Sequence, residues 1–193
     1  MDSGIAILGW GSLTYELEEL KNHVSSEWKD GGPQLPIEFS RVSSSRDKAL
    51  TLVIDEENGV DTPTQYIMSS RPDPKKAAHD LRKRERTVPR QIGIFDPVDE
   101  VMKCKSSQAA NRIREWTVEK NLRAVVWTDL PSNFPEKSLL DGEIPFSIDA
   151  ALEHLASLNE KATQKAKQYI RNAPSYVETP LRDRLRAEGW PEK

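Results

Sequence analysis

The order of strand-like and helix-like stretches is what most constrains this chain. Gly4 to Leu8 reads as a short buried strand. Pro36 to Ser43 (PIEFSRVS) and Ala49 to Asp55 (ALTLVID) alternate as a hairpin joined through SSRDK, and Pro63 to Ser69 offers a further strand. Asp73-Pro74 pairs an N-cap carboxylate with proline at the first helical position and predicts a helix from Pro74 to about Arg86. Val88 to Lys105 reads as irregular or extended, Ser107 to Asn121 as a helix, and Leu122 to Asp129 (LRAVVWTD) as the clearest late strand. In the last third, about 147–193, Ile148, Ala151, Leu152, Leu155, Leu158, Ala162, Ala166, Tyr169 and Ile170 hold one helical face for about six turns. Asn172-Ala173-Pro174 breaks that helix, and Thr179-Pro180 opens a short final one. Strands that come first in hairpin order, with helices inserted late, predict an α+β fold rather than a doubly wound sheet. For 193 residues without an internal repeat, the expectation is a single domain with a helical C-terminal third.

Composition removes several function classes. A net charge of -3 with both signs interspersed argues against a nucleic-acid surface. The exception is the cluster Arg82-Lys83-Arg84 with Arg86, which reads most simply as a solvated helix face. Cys104 is the only cysteine, and His23, His79 and His154 form no i, i+4 pair. Neither an internal disulfide nor a thiolate or histidine metal site is expected, and no cofactor is called for. The N-terminus MDSG starts acidic, no apolar run is long enough to span a membrane, and a cytoplasmic protein is the expectation.

Chemistry is most concentrated in two places. The first strand runs straight into Gly9-Trp10-Gly11-Ser12-Leu13. Two glycines at a strand end cost stability, so they imply either a tight turn or a backbone left bare for a ligand to reach its N–H groups. GWGS is no phosphate loop, since the lysine and the longer glycine pattern are missing, and no G-x-S-x-G elbow surrounds Ser12. The second place is the helix after Asp73. Centred on Leu81, its inward stripe takes in Ala78 and Glu85, so a carboxylate falls on an apolar face. Burial disfavours a carboxylate's charged form and so tunes it toward general acid–base work near neutral pH. The bland alternative is that Glu85 ends the helix, turns to water and pairs with Arg82 or Arg86. Glu38, alternating into PIEFS, is a weaker candidate for a buried acid, and Trp10 reads more readily as a core aromatic than as a ligand stacker.

Taken together, these residues resemble the γ-glutamylcyclotransferase-like superfamily. I-A-I-L-G followed by W-G-S-L is similar to its opening strand and Y-G-S-L or Y-G-S-N loop. E-F-S-R-V-S and A-L-T-L-V resemble the next hairpin, and L-R-K-R-E-R at Leu81 to Arg86 resembles the helix that carries the catalytic glutamate, nearest to the glutathione-degrading branch. The likeness runs from Ile5 to about Val126. Two departures stand out: Trp10 replaces the motif tyrosine, and Thr87 and Val88 stand where a glycine usually follows the glutamate. The resemblance implies a small mixed β-barrel with flanking helices and a cavity at one mouth. It also implies a substrate carboxylate held by the loop Gly9, Trp10, Gly11, Ser12 and Leu13, with Glu85 as the general acid and base. Arg41 and Ser43, two apart on a strand beside the first, and Tyr169, with its polar tip on the long apolar stripe, are candidates for further pocket contacts.

Cyclisation of a γ-glutamyl compound to 5-oxoproline is the activity that follows, with no metal, nucleic-acid or membrane partner. The substrate and the oligomeric state stay open. A non-catalytic protein that binds a small carboxylate or amine on the same fold is the rival, favoured by Trp10. A helical partner-binding module built on the Ile148–Ile170 face is a third reading.

Overall fold

A computed structural model of the protein describes residues 4–191. Its class is α+β, with two sheets and six α-helices among the described residues. Two compact units account for the chain: residues up to Leu35 with Pro63–Leu130, and Pro36–Thr62 with the chain from Pro131 on.

The first unit holds a five-stranded sheet. Its strands are β1 (Ile5–Gly9), β5 (Gln65–Ser69), β6 (Ile92–Asp96), β7 (Val101–Lys103) and β8 (Ala124–Thr128), in the order β5-β1-β8-β6-β7. β1 runs antiparallel to β5 and parallel to β8, and β6 is antiparallel to both β8 and β7. Among the described strands of this sheet, β1–β8 is the one parallel pair. The hairpin β6–β7 lies inside Val88–Lys105, which reads as irregular or extended in the sequence. Asp96 tightens its turn by accepting from the N–H groups of Val98 and Asp99, and Arg123 pairs with the same carboxylate.

One face of this sheet is covered by α1 (Pro74–Arg84), which packs on β1, β6 and β8. Asp73 caps it by accepting from the Lys75 N–H at 2.9 Å, with Pro74 in the first turn, as the sequence predicts. Ala77 and Leu81 join Ile5, Ile7, Leu13, Leu20, Ile67, Ile92, Ala124 and Val126 in one cluster. Burying a leucine such as Leu81 is worth about 1.5–3 kcal/mol. Where β6 pairs with β8, Gly93 faces Trp127, and a Cβ on Gly93 would run into the indole. The glycine there is a packing requirement. α2 (Ser107–Glu119), capped by Ser106, contacts β8.

The second unit contains the strands β2 (Leu35–Val42), β3 (Leu50–Ile54) and β4 (Val60–Thr62), in the order β3-β2-β4. β2 and β3 form the predicted hairpin, with a register shift between Glu38 and Arg41. Its helices are α3 (Phe134–Lys137), α4 (Ile148–Ala156), α5 (Glu160–Asn172) and α6 (Pro180–Ala187). The single long helix expected over Ile148–Ile170 is two helices. Ser157 ends α4, and the Asn159 side chain accepts from the Ala162 N–H at 3.0 Å to start α5 afresh. α5 packs on β3, and α4 contacts α5 and α6.

Both sheets are open in their pairing, and among the described residues no closed barrel forms. No helix among them is long and apolar enough to cross a membrane.

Candidate functional site

In the first unit, the end of β1 meets the end of α1. Gly9 closes the strand, and the Trp28 indole lies directly on it: a Cβ there would meet Cη2 at 2.5 Å and Cζ3 at 2.8 Å. Trp10 is 5 % exposed, and its burial makes it a packed residue. The chain then tightens into a 3-10 turn over Ser12–Thr14. The Gly11 carbonyl accepts from the Thr14 N–H at 3.0 Å and the Thr14 hydroxyl at 2.8 Å, while the Ser12 carbonyl accepts from the Glu16 N–H at 2.8 Å. Among the described residues, no backbone carbonyl accepts from the N–H groups of Gly11, Ser12 or Leu13. Leu13 points its side chain into the core cluster and so anchors the turn.

The buried side chains of α1 are Pro74, Ala77, Asp80, Leu81 and Arg84, so the inward stripe is centred one position from the expected one. Ala78 and Glu85 lie on its flank, partly buried. Glu85 is the C-cap residue, and its N–H donates to the Leu81 carbonyl. Arg86 follows with φ 51°, and the Arg86 and Thr87 N–H groups donate to the carbonyls of Lys83 and Arg82. This is a Schellman closure with arginine in the left-handed position that glycine usually takes.

Arg84 joins these two places. Its guanidinium donates from Nη1 to the Glu85 carboxylate at 2.6 Å and from Nη2 to the Ser12 hydroxyl at 3.4 Å. Nε and Nη2 both reach the Glu16 carbonyl, at 3.0 and 2.6 Å. The side chains of Arg84 and Glu85 are 6 % and 15 % exposed. The partner of Glu85 is thus Arg84 rather than Arg82 or Arg86. Arg86 instead makes an exposed pair with Glu18, at 3.0 Å. Of the basic cluster, Arg84 turns inward while Lys83 and Arg86 are exposed. An open groove of about 520 Å³ runs alongside, bounded by Thr14, Tyr15, Glu18, Glu19 and Trp28; Glu85 is not among its lining residues.

Arg41, Ser43 and Tyr169 belong to the second unit. Arg41 donates to the Pro131 carbonyl at 2.6 Å, and Ser43 falls one residue beyond β2, its hydroxyl 3.1 Å from that of Ser45. Tyr169 accepts from the Leu52 N–H at 3.3 Å, with the Arg46 guanidinium 4.7 Å above its ring and Phe39 edge-on.

Glu38 is fully buried in β2 of that unit. It accepts from the Phe39 and Leu181 N–H groups at 2.7 and 3.3 Å, and burial pushes its carboxyl up despite those bonds and one from Thr179. These partners make it a tie between β2 and the start of α6. A buried acid that sequence reasoning passed over is Asp129, just past β8 in the first unit. Burial raises its carboxyl as well, while Lys105 and the Trp127 N–H oppose the rise. Its only sequence signal is its place at the end of LRAVVWTD. Asp80 on α1 is held by Arg71, at 2.6 Å. Among the described residues, no three His, Cys, Asp or Glu side chains are gathered as a metal ion would need.

Compared with protein-family models, with curated proteins and with solved structures, the chain matches none.

Proposed function

We propose that the protein is an intramolecular cyclotransferase that releases 5-oxoproline from a γ-glutamyl compound, with Glu85 as general acid and base. The observation that carries this reading is the Arg84 guanidinium, which bonds both Glu85 and the Ser12 hydroxyl and so brings the acid of α1 to the loop after β1. The reading extends to the small mixed β-barrel of the γ-glutamylcyclotransferase-like superfamily, a closure beyond the two open sheets described above.

In this mechanism the substrate's α-carboxylate takes hydrogen bonds from the N–H groups of Gly11, Ser12 and Leu13, the kind of anion cradle that oriented backbone amides make. Its α-amine, with a pKa of about 7.7–8.0 in model peptides, faces Glu85. The carboxylate removes an ammonium proton, the freed lone pair attacks the γ-carbonyl, and a new C–N bond closes the five-membered lactam. The γ-amide C–N bond breaks as Glu85 returns that proton to the leaving nitrogen, and the lactam nitrogen gives up its second proton to the departing amine. General acid–base catalysis contributes roughly 10²–10⁴-fold, and holding the flexible chain in attack geometry contributes more.

A second reading, a non-catalytic binder of small carboxylates or amines, draws on the buried Trp10 in place of the motif tyrosine and on the ion pair that already engages Glu85. The discriminating experiment is release of 5-oxoproline from a panel of γ-glutamyl dipeptides, γ-glutamyl amines and glutathione, with thermal shift for each ligand in parallel. Turnover supports the cyclotransferase. Stabilisation by these ligands without turnover supports the binder.

A further inference from the structure

We infer that Arg84 is the positioning residue of this site, one buried guanidinium that fixes the Glu85 carboxylate and the Ser12–Glu16 turn relative to each other. The inference rests on the cyclotransferase reading for its catalytic consequence, though not for its geometry.

A planar guanidinium presents five N–H donors in a rigid fork, which lysine cannot imitate. Here the fork is divided between two separate stretches of chain. Nε and Nη2 clasp the Glu16 carbonyl, Nη2 also reaches Ser12, and Nη1 holds Glu85. Burial makes the arrangement stiff, since a nearly enclosed charge that loses one partner has no water to turn to. Glu85 needs such a brace. It stands at the C-cap, where no further helical turn confines its rotamer, and its neighbour Arg86 faces solvent toward Glu18. Leu13 anchors the start of the turn in the core, backbone bonds join Gly11 to Thr14 and Ser12 to Glu16, and Arg84 ties the far end through the Glu16 carbonyl. Across 72 positions of sequence, Arg84 sets how far the Ser12 hydroxyl and the adjoining N–H groups stand from the carboxylate. In a reaction that must hold a carboxylate at one end and deprotonate an amine beside it, that spacing is the geometry that counts. A misplacement of about 1 Å is enough to cost on the order of 10²-fold in rate.

The test uses full-length Arg84→Met, Arg84→Lys and Glu85→Gln, with two readouts. The first is kcat and KM for 5-oxoproline release. Arg84→Met should lower kcat by about 10²-fold with KM within about twofold of wild type, and Arg84→Lys should recover part of the loss. An unchanged kcat in Arg84→Met, or a rise confined to KM, overturns the inference. The second readout needs no turnover: backbone amide shifts of residues 11–16 and 85 in ¹⁵N-labelled protein, without ligand. Arg84→Met should move both groups together, and Glu85→Gln, by turning the charge-assisted bond to Nη1 into an ordinary one, should move Ser12 and Glu16. Should the wild type turn over no γ-glutamyl compound, the cyclotransferase reading falls and the amide shifts alone decide the bracing role. Loop amides that stay at their wild-type positions in Glu85→Gln and Arg84→Lys overturn it, and those two variants serve if Arg84→Met does not fold.

Discussion

The Trp28 indole lies across Gly9, so close that a methyl group on the glycine would come within 2.5 Å of the ring. This relationship accounts for the first of the two glycines that interrupt the end of β1. Its bareness admits a side chain of the protein, and the ring in turn forms one wall of the groove beside Thr14 and Tyr15.

Gly9→Ala should therefore destabilise the fold by about 1–3 kcal/mol, the usual range for overpacking a fitted contact. The added carbon would also press on the Thr14 methyl, at 3.2 Å. Trimming the ring in Gly9→Ala/Trp28→Leu should make the alanine close to neutral relative to Trp28→Leu alone. Urea titrations of the four proteins give the coupling. Additive effects would mean that the ring shifts freely and that Gly9 is glycine for another reason.

Arg86 occupies a left-handed conformation, φ 51°, directly after the α1 cap. A residue with a Cβ costs about 1–2 kcal/mol there, while glycine gives back part of that through the greater freedom of its unfolded chain. The pair with Glu18 is exposed on both sides and adds little. Arg86→Gly is expected to raise stability by about 0.5–1 kcal/mol, seen as a higher urea midpoint at unchanged slope. A lower midpoint would mean that Arg86 holds more than its surface pair.

Local signals made much of this legible. Asp73-Pro74 marked the start of α1, LRAVVWTD marked β8, and PIEFSRVS with ALTLVID marked the β2–β3 hairpin. What escaped depended on partners far away in sequence. Arg84 sits in a run of basic residues that resembles a solvated face, and the Glu16 carbonyl and the Ser12 hydroxyl, 68 and 72 positions away, hold it inward. Glu85 reads in the sequence as a carboxylate on an apolar stripe or a partner of Arg82 or Arg86; its actual partner, the adjacent Arg84, is not a helical-spacing neighbour and so carries no periodic signal. The break between α4 and α5 was visible only as Ser157 and Asn159, since the apolar periodicity ran straight across it. Once Asn159 caps a new helix, the stripe continues in two pieces.

His154 offers a pH test in the second unit. It is fully buried, its Nδ1 accepts from the Leu139 N–H, and its Nε2 faces the Lys48 carbonyl at 2.8 Å, an arrangement that fits the neutral ring. Burial holds its imidazole below the ordinary value of 6.5, although the Lys48 carbonyl opposes that shift. Below 6.5 the unfolded chain binds the proton first, so this group's contribution to stability falls as pH drops from 6.5 toward the folded value. Glu38 and Asp129 act in the opposite sense, because burial raises their carboxyls and the folded state gains those protons first. Comparison with His154→Gln isolates the histidine. Between pH 7 and 5.5 the wild type should lose more Tm than the variant, and parallel curves would show that His154 is not the titrating group.

Glu85→Gln brings the site's energetics and chemistry into one measurement. The amide keeps the outline of the acid and an oxygen to accept from Arg84, but it cannot take a proton from an ammonium group near neutral pH. Turnover of any γ-glutamyl substrate should fall by at least about 10²-fold, with ligand binding through the Gly11–Leu13 loop retained. Stability should fall by about 1–2 kcal/mol, because a charge-assisted bond to a buried guanidinium becomes an ordinary one. The two readouts separate the possible roles of this acid. Lost turnover with the expected drop in Tm fits a base held by Arg84. A drop in Tm with turnover intact would leave Glu85 as a structural partner of Arg84 and remove it from the reaction. Turnover lost with no change in Tm would mean that the ion pair adds nothing to the fold and that Glu85 acts without the brace.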